Sequence, residues 1–367
     1  TPPRFSGPVI KQIQYQAEKA FSVLNMRDFG RLDGWILKDG TIWFSDINAI
    51  SGMEQNSFFF QQSAILGINH SQLLDYLMTK KIDKKNRPSN VNKKREEIPV
   101  IFGGDTAERQ VSIMSGTNVC IKLKSSSKYK PAPVFLGSNG KMHRIPQFLC
   151  LQHTAEEIEE KIKLFKNHVF LKNLRDFQRE ILKKLDIDEK NLEEPLFEPR
   201  QISFKIIASK YKFLFLGLHG GDGENGTFQT LLDGLRLPYN GPGAYSSRLC
   251  MDKFLTGEKI KKACIPGVFT AKKMLFSLRE NPQNIWETIQ KNHFPPMLII
   301  KPRSDGCSAG VITVKNFGEF KKTLYFLNSN KPYIPARAIH PLHGYISLPD
   351  KKLDEILVEE LIKTDEI

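Results

Sequence analysis

The first quarter of the chain shows two different spacings of apolar residues. Over residues 8–25 they recur at helical spacing, which predicts a helix. They then dominate residues 30–38 and 41–48, and Asp39-Gly40 between these runs is a strong hairpin signal, since both central positions of a tight turn need positive φ. The pattern therefore predicts two paired antiparallel strands, followed by one or two helices over residues 57–79.

Four polar residues are opposed in this predicted hairpin. With Asp39-Gly40 as a two-residue loop, counting outward places Asp33 opposite Asp46 and Arg31 opposite Asn48, all on one face because side chains alternate along a strand. Opposed carboxylates have Cβ atoms roughly 5 Å apart and repel each other unless a positive charge lies between them. A bound Mg²⁺ would supply that charge, since it takes oxygen ligands from carboxylates. A solvated sheet face with Lys and Arg neighbours explains the pattern equally well.

The pattern changes twice in the rest of the chain. Residues 80–97 are polar, charged and interrupted by Pro88, which predicts a linker. Over residues 98–250, predicted strands alternate with helices, including a long amphipathic helix over 155–186, which indicates a small α/β domain with a largely parallel sheet. Over residues 251–367, the pattern predicts a further domain, with helices near 251–264 and 316–328, strands at 297–302, 310–314 and 355–361, and a glycine-rich turn between the first two strands.

Composition narrows the class of protein. The 367 residues suffice for two or three small domains, and 40% hydrophobic with 26% charged residues is typical of globular proteins. No apolar run approaches the roughly 20 residues of a membrane span, so we expect no membrane partner. The five cysteines are scattered and form no Cys-x-x-Cys pair, which argues against a disulfide framework or structural zinc and favours a reducing compartment.

The formal net charge of +14 has three explanations. Nucleic-acid binding is not expected, because the basic residues lack the recognised motif contexts. An anionic small substrate such as a nucleotide would draw on the charge, and a solvated lysine-rich surface explains most of it. The chain begins with Thr1 and shows no signal peptide or transit-like segment, so we interpret it as an internal piece of a longer protein whose targeting cannot be read.

A hairpin near the end of the chain has a loop suited to phosphate. In LIIKPRSDGCSAGVITV (298–314), the connecting loop is small, polar and glycine-containing. Backbone N–H groups of such a loop can close over phosphates while Lys301 meets their charge. An ordinary hairpin with a surface lysine shows the same pattern.

Two further glycine loops each follow a predicted strand and open a helix. In LHGGDGENGTFQ (218–229), the orphan N–H groups of the helix favour an anion, and His219 is either a donor to substrate or a structural histidine. FGGDTAERQVSIMSG (102–116) repeats this plan. On its own, Glu108 in that segment is a favourable charge in the first helical turn.

Together these motifs resemble the D-alanine–D-alanine ligases of the ATP-grasp superfamily, and the resemblance covers most of the chain. The family's signatures are recognisable in FGGDTAERQVSIMSG, LHGGDGENGTFQTLLDGLRLPYNGPG, MDK at 251–253, KPRSDGCSAGV and ILVEELI. The resemblance implies an α/β fold of the α+β ATP-grasp type, with a small parallel-sheet N-terminal-type domain and ATP-grasp subdomains. It also implies ATP-dependent formation of a D-alanine dipeptide through an acyl phosphate, for peptidoglycan precursors of the cell wall.

The signatures stand in permuted order. The family's carboxyl-terminal signature comes first, as RLD (31–33), DIN (46–48) and SGM (51–53). We interpret the chain as the junction of two fused ligase copies, as in plastid-bearing organisms, with a circular permutant as the alternative. The fused type implies the plastid stroma as location, with the cytoplasm as the alternative. The domains are then the C-terminal part of one copy (1–79), a charged linker (80–97), the N-terminal-type domain of the next copy (98–250) and a truncated ATP-grasp central domain (251–367).

The resemblance implies a set of ATP-binding residues. Lys253 and Lys301 are implied to contact the phosphates of ATP. The residues implied to line the adenine or hold the ribose are Glu359, Glu360, Ile362 and Glu366.

The catalytic set implied by the resemblance surrounds two D-alanine molecules. Glu108 is implied to meet the amino group of the first D-alanine, and His219 lies near its carboxylate. Ser57 is implied to lie near the second D-alanine. The other members are Ser308 in the glycine loop, and Arg31 and the backbone of Gly52 at the tetrahedral oxyanion.

The implied metal site is the one that the hairpin register predicts. Asp33, Asp46 and Asn48 are implied to hold two Mg²⁺ ions, with Mn²⁺ as a substitute. The chain departs from the family pattern at Asp46, where Glu is usual, and at Ser51, where Pro is usual. Cys307 stands in place of the first serine of the glycine loop, and a thiol is a poor hydrogen-bond partner beside a hydroxyl.

Two hypotheses stand beside an active D-alanine–D-alanine ligase. One is an ATP-grasp ligase with another acceptor, and the other is a non-catalytic copy that binds nucleotide or serves as a scaffold. The partner implied is the small molecule D-alanine, and the assemblies implied are a homodimer or pairing with the other ligase copy.

We expect the 367-residue chain by itself to be inactive, because the family segment that carries the site-closing loop is not part of it. The measurement is phosphate release from ATP in the presence of D-alanine. Robust turnover by this piece alone would contradict the expectation.

Overall fold

The structure, a computed structural model, consists of two compact units. One unit comprises Thr1–Asp105 and Gln110–Gly217, and the other comprises Thr106–Arg109 and Leu218–Ile367. The structure describes residues 5–23, 31–36, 40, 42–48, 55–79, 95–189, 192, 196–263, 270–304, 308–329, 331–349 and 352–362, with the backbone alone at 23, 31–35, 43–48, 75 and 77–79.

The regular elements follow one another as helices and strands of mixed length. Up to residue 217 they are α1 (Gly7–Val23), β1 (Arg31–Ile36), β2 (Ile42–Asn48), α2 (Phe58–Ile65), α3 (His70–Thr79), β3 (Glu96–Gly103), α4 (Arg109–Lys124), β4 (Tyr129–Leu136), β5 (Met142–Arg144), a 3-10 helix (Gln147–Leu151), α5 (Ala155–Phe165), α6 (His168–Lys184), β6 (Arg200–Ile202), α7 (Phe204–Lys210) and β7 (Phe215–Leu216). Thereafter they are α8 (Gly221–Glu224), α9 (Thr227–Gly234), α10 (Ala244–Met251), α11 (Lys253–Ala263), β8 (Lys273–Ser277), α12 (Pro282–Lys291), β9 (Leu298–Pro302), β10 (Ile312–Val314), α13 (Phe317–Leu327), β11 (Tyr333–Ile334), β12 (Ile346–Ser347) and β13 (Glu355–Glu360).

The first hairpin confirms the predicted opposition of polar residues at the level of the backbone. Strands β1 and β2 pair antiparallel, with Arg31 opposite Asn48 and Asp33 opposite Asp46. Gly40, between the strands, has a φ of +86°, which glycine adopts readily and the predicted turn requires. The register prediction therefore holds for the half of the ladder that carries the acids.

The inner half of this ladder differs from the prediction. A two-residue loop would place Ile36 opposite Trp43, whereas Ile36 pairs with Ile42. The cause is a register shift between Asp33 and Gly34, where a β-bulge adds one residue to the second strand.

Helices α2 and α3 confirm the predicted helical segment, and they pack within the first unit. Phe60, Ile68 and Leu73 form a buried cluster with Leu182 of α6. The start of the chain and the segment after residue 95 therefore share one packed interior.

A polar network lies beside this apolar cluster. The ring of His153 contacts Asn56 Nδ2 at 2.9 Å and Gln61 Nε2 at 3.2 Å. Gln55 donates a hydrogen bond to Asn118 Oδ1 at 3.1 Å. These contacts fix the position at which α2 begins.

Five strands of the first unit form one sheet in the order β6-β5-β4-β3-β7. Strand β3 runs parallel to β4 and β7, whereas β5 and β6 add two antiparallel strands at one edge. Val100, Phe102 and Phe135 of the central strands are fully buried and pack in one cluster with side chains of α4, α5 and α6. The predicted α/β class is confirmed, but the sheet is parallel only in its β4-β3-β7 part.

The long helix predicted over 155–186 is broken into α5 and α6. The break is at Asn167, whose side-chain oxygen accepts hydrogen bonds from the amides of Val169 and Phe170. Asn is favoured at such N-cap positions because it satisfies N–H groups that the new helix leaves free. Neither these helices nor any other in the described ranges is long and apolar enough to cross a membrane.

The second unit contains a four-stranded antiparallel sheet in the order β10-β9-β13-β8. The strands predicted over 297–302, 310–314 and 355–361 are confirmed as β9, β10 and β13. The sequence pattern does not predict β8 or α12. Helices α12 and α13 pack on this sheet through fully buried Ile285 and Phe320.

We expect Gly116→Ala to destabilise the first unit. A Cβ at position 116 of α4 would lie 2.4 Å from Cγ of the buried Phe102, so a core ring has to move. Overpacking of this kind lowers the free energy of unfolding by about 1–3 kcal/mol, measurable by chemical denaturation.

Gly234→Ala, at the end of α9, is the matched control. An added Cβ there meets nothing within 4 Å. Alanine has the higher helix propensity, so we expect this variant to be neutral or stabilised by up to about 1 kcal/mol. Equal effects of the two substitutions would contradict the packing argument.

Candidate functional site

Three strands of the second unit bring two lysines to one buried carboxylate. Strand register places Lys273 of β8 directly opposite Glu359 of β13. Lys301 of β9 lies opposite Leu357, two residues from Glu359 and therefore on the same face of the sheet. Lys273 Nζ lies 3.0 Å from Glu359 Oε1, and Lys301 forms a short ion pair with Glu359 Oε2.

This cluster carries an excess of positive charge. Glu359 is 5% exposed, so its charge is stabilised only because cations contact it directly. Two ammonium groups share the single carboxylate, and their side chains are only 10% and 20% exposed. An excess cation in a poorly solvated site favours the binding of an anion.

Lys253 is held at the start of α11 through both of its backbone groups. Its N–H donates to the carbonyl of Arg303 at 3.1 Å, and its own carbonyl accepts from Lys273 Nζ at 3.3 Å. The preceding residue, Asp252, caps the helix by accepting from the amides of Phe254 and Leu255. The two lysines predicted to contact phosphate, Lys253 and Lys301, are thereby linked through one network.

Arg303 ties this helix start to the sheet. Its guanidinium lies 2.7 Å from Asp252 and 2.8 Å from Glu355, the first residue of β13. Burial alone would raise the pKa of Asp252, but the hydrogen bond from Arg303 together with those from the Leu255 and Phe254 amides and the Arg303 charge lowers that pKa below its ordinary value.

Glu108 and His219 are brought together in the second unit, as the resemblance implies for the first substrate. Thr106 Oγ1 donates to the carbonyl of His219 at 2.9 Å and accepts from the amide of Glu108 at 3.3 Å. Gly220 has a φ of +69°, and a Cβ there would lie 2.6 Å from Glu108 Oε2. The His219 ring in turn lies 3.4 Å from Glu224. Glycine is favoured at position 220 because its φ is positive, and the Glu108 carboxylate lies directly beside it.

Three other predicted residues, Glu360, Ile362 and Ser308, have different local surroundings. Glu360 accepts a hydrogen bond from the amide of Lys272 at 2.8 Å, whereas Ile362 is 56% exposed. Ser308 is exposed and has a φ of +56°.

Ser57 stands at the N-cap of α2 and is buried at 8% exposure. Its Oγ meets no hydrogen-bond partner among the described residues. A buried hydroxyl without a partner is unfavourable, so this oxygen is suited to a ligand or a water.

Several predicted residues lie outside the described part of the chain. Gly52, Ser51, Cys307 and Glu366 are not described, and the side chains of Arg31, Asp33, Asp46 and Asn48 are not described either. The metal site therefore stays a prediction that rests on the backbone register of β1 and β2. Among the side chains that are described, no group of three or more His, Cys, Asp or Glu residues could hold a metal ion.

Sequence reasoning missed Lys273 and Arg303. Lys273 begins a strand whose residues KMLFS do not alternate between apolar and polar, so no period-two signal marks it. Arg303 stands within the KPRSDGCSAGV segment, and its position two residues after Lys301 was the available signal.

We expect Arg303→Met to lower stability by about 1–2 kcal/mol at pH 7, because it leaves two carboxylates without their cation. The folded-state pKa of Asp252 is lowered, so its contribution is complete above the ordinary carboxyl pKa of about 3.9 and is lost as the pH falls through the folded-state pKa. Thermal melts at several pH values should therefore show the difference from wild type narrowing below about pH 4.

Arg279→Met is the control for this variant. Arg279 pairs with Asp354 at 3.5 Å, and the two side chains are 86% and 79% exposed. Such pairs contribute little, so the melting temperature should not change measurably. A pH-independent effect of Arg303→Met would argue against the role of its ion pair with Asp252.

Two family models match the chain in separate segments. Residues 97–242 match the model described as D-ala D-ala ligase N-terminus, and residues 3–79 match the model described as D-ala D-ala ligase C-terminus. Together the two matches cover more than half of the chain, and the C-terminal match comes first.

Individual proteins with similar sequences or structures carry related names. The D-alanine--D-alanine ligase of Enterococcus hirae is 25% identical to this chain over 62% of the chain and 56% of its own length. That of Thermosipho melanesiensis is 26% identical over 71% of this chain and 65% of its own length. The chain thus spans between half and two thirds of the curated relatives it matches. Similar solved structures include the D-alanine-D-alanine ligase from Coxiella burnetii, with 22% sequence identity, coverage of 73% of this chain and 64% of that chain, and a TM-score of 0.47. Another is VanG D-Ala:D-Ser ligase from Enterococcus faecalis, with 24% sequence identity, coverage of 74% of this chain and 64% of that chain, and a TM-score of 0.44. This chain therefore matches the models of both domains of the D-alanine–D-alanine ligase family, with the C-terminal match ahead of the N-terminal one.

Proposed function

We propose that the protein is an ATP-dependent D-alanine–D-alanine ligase that makes a dipeptide for peptidoglycan precursors. The observation that carries the proposal is the cluster of Lys273, Lys301 and Glu359, joined to Lys253 at the start of α11. It gathers positive charge on one face of an antiparallel sheet, where an ATP-grasp fold would bind the phosphates of ATP. The matched family models support the choice of reaction.

In the first step, the carboxylate of one D-alanine attacks the γ-phosphoryl group of ATP, which gives an acyl phosphate and ADP. Most of the catalysis of phosphoryl transfer is positioning and charge neutralisation. Lys253 and Lys301 would contact the phosphates, and the fixed backbone of Lys253 supports this role. Glu108 would meet the amino group of the first D-alanine beside His219, in keeping with their closeness in one loop cluster.

In the second step, the amine of another D-alanine attacks the acyl carbonyl carbon and inorganic phosphate leaves. Negative charge develops on the former carbonyl oxygen, and groups that donate hydrogen bonds to it lower the barrier. Arg31 and the backbone N–H of Gly52 are proposed for this task. Ser57, with its buried hydroxyl, is proposed to meet the second D-alanine.

Magnesium fits the proposed reaction and the hairpin register. The backbone pairs Asp33 with Asp46 and Arg31 with Asn48, so that residues of the types that offer carboxylate and amide oxygens, the donors that Mg²⁺ takes, occupy neighbouring positions of the ladder. These three oxygen donors, Asp33, Asp46 and Asn48, would hold the metal. When bound, it would neutralise charge on the phosphates.

The permuted order of the two family domains supports a tandem origin for the chain. In this proposal residues 1–79 end one ligase copy, and residues from 98 onward begin the next, with a circular permutant as the alternative. The packing of α2 and α3 against α6 is compatible with both. A plastid stromal location, a homodimer and pairing between the two copies belong to the same proposal and rest on the resemblance alone.

We expect the full-length protein to release phosphate from ATP when D-alanine and Mg²⁺ are present, with D-alanyl-D-alanine as the product identified by mass spectrometry. Lys301→Met should lower kcat/KM by about 100-fold or more, since it removes a charge aimed at the transferred group. Lys322→Met, an exposed lysine of α13, is the control and should leave the rate unchanged.

Other outcomes would assign the site differently. If phosphate is released only when D-serine or a hydroxy acid is present, that compound and not D-alanine is the second substrate. ATP binding without phosphate release with any acceptor would identify a non-catalytic nucleotide-binding copy. Equal losses in Lys301→Met and Lys322→Met would contradict the role of the cluster.

A further inference from the structure

We propose that Lys273 is a positioning residue that keeps Glu359 paired, so that Lys301 is able to leave this carboxylate and contact the phosphates of ATP. The inference rests on the proposed function only in naming ATP as the ligand. It concerns a residue outside the phosphate-contacting set that the family motifs supply, and it assigns different tasks to two lysines that share one partner.

Lys273 is held in place from several sides. Its ammonium lies 3.0 Å from Glu359 Oε1 and donates to the carbonyl of Lys253 at 3.3 Å. Its tail also packs against α11 at Gly257, where an added Cβ would lie 2.6 Å from both Cε and Nζ. Movement of Lys273 would therefore break two polar contacts and leave a space beside the helix.

Lys301 has a different setting. It contacts the other oxygen of the carboxylate, Oε2, so the two lysines do not compete for one atom. Its side chain is 20% exposed, twice the value for Lys273. It also lies at the end of β9, directly before Pro302 and the loop that joins β9 to β10. Of the two lysines, Lys301 is the one with access to a ligand.

The need for a second cation follows from the burial of Glu359. If Lys301 were the sole partner, its departure would leave an unpaired charge at 5% exposure, which is strongly unfavourable. Lys301 would then be retained by Glu359 and withheld from the phosphates. With Lys273 in place, the Glu359 carboxylate keeps an ion-pair partner when Lys301 moves to ATP, so its buried charge is not left unpaired.

A double-mutant cycle separates this indirect role from a direct contact between Lys273 and phosphate. The probe is MgATP, and the readout is its Kd by isothermal titration calorimetry on the full-length protein. Lys273→Met should raise this Kd about tenfold in the wild-type background, because Lys301 stays on Glu359. In the Glu359→Gln background the carboxylate that pairs with Lys301 is removed, so Lys273→Met should change the Kd less than about twofold.

Two further variants control for a merely structural effect. Lys273→Arg keeps the positive charge, so the Kd of this variant for MgATP should be within about threefold of the wild-type value. Lys272→Met removes the neighbouring lysine, which bonds the carbonyl of Asn292 instead, and should leave the Kd unchanged. If Lys273→Met does not fold, Lys273→Gln is used in its place. If Glu359→Gln abolishes binding, Lys301→Met is used as the second background, and there too Lys273→Met should change the Kd of MgATP less than about twofold.

Each result has a defined reading. Equal effects of Lys273→Met in both backgrounds would overturn the inference, since they would show that Lys273 meets the ligand itself. A wild-type protein that does not bind MgATP would overturn the proposed function and the inference together. Binding with the expected pattern, but without ligation of D-alanine, would support the inference and overturn the proposed reaction.

Discussion

The pairing of one buried carboxylate with two lysines is the interaction on which the second unit's candidate site depends. Glu359 draws a residue from each of the two strands that flank β13, so the order β9-β13-β8 also brings the charges together. A buried charge without a partner is far more costly than an exposed one. The sheet order and the electrostatics of the site therefore support each other.

The start of α11 depends on the same sheet. Lys253 is bonded through its N–H to the carbonyl of Arg303, which directly follows β9, and through its carbonyl to Lys273 of β8. Arg303 further joins Asp252 to Glu355. Hydrogen bonds between charged groups are the stronger ones, so this helix end is fixed at the lysine that we propose contacts phosphate. Here the fold and the candidate site are built from the same contacts.

The amino-acid sequence predicted features that local rules determine. The opposition of Asp33 and Asp46 follows from turn chemistry and strand alternation over fewer than 20 residues, and it is confirmed. The bulge beside Gly34 was not predictable, since one added residue leaves no trace in the apolar pattern. The break at Asn167 was missed because the amphipathic spacing continues across it, although the side chain provides a cap.

Local sequence patterns likewise identify only some of the side chains in the candidate site. Lys301 could be singled out because it precedes a glycine loop within a few residues. Lys273 could not be singled out, because its significance comes from Glu359, which lies far along the chain and meets it only through strand pairing. Residues whose function depends on long-range register require the structure.

The packing of α2 and α3 on α6 has a consequence for how such a chain can arise. The contacts of Phe60, Ile68 and Leu73 with Leu182 determine where α2 and α3 pack. They do not depend on whether these helices precede or follow α6 in the chain. The entropic cost of closing a flexible connection grows only with the logarithm of its length, about 0.6 kcal/mol for each doubling. Joining these segments in another order would therefore add little entropic cost of chain closure, as long as these three side chains still contact Leu182.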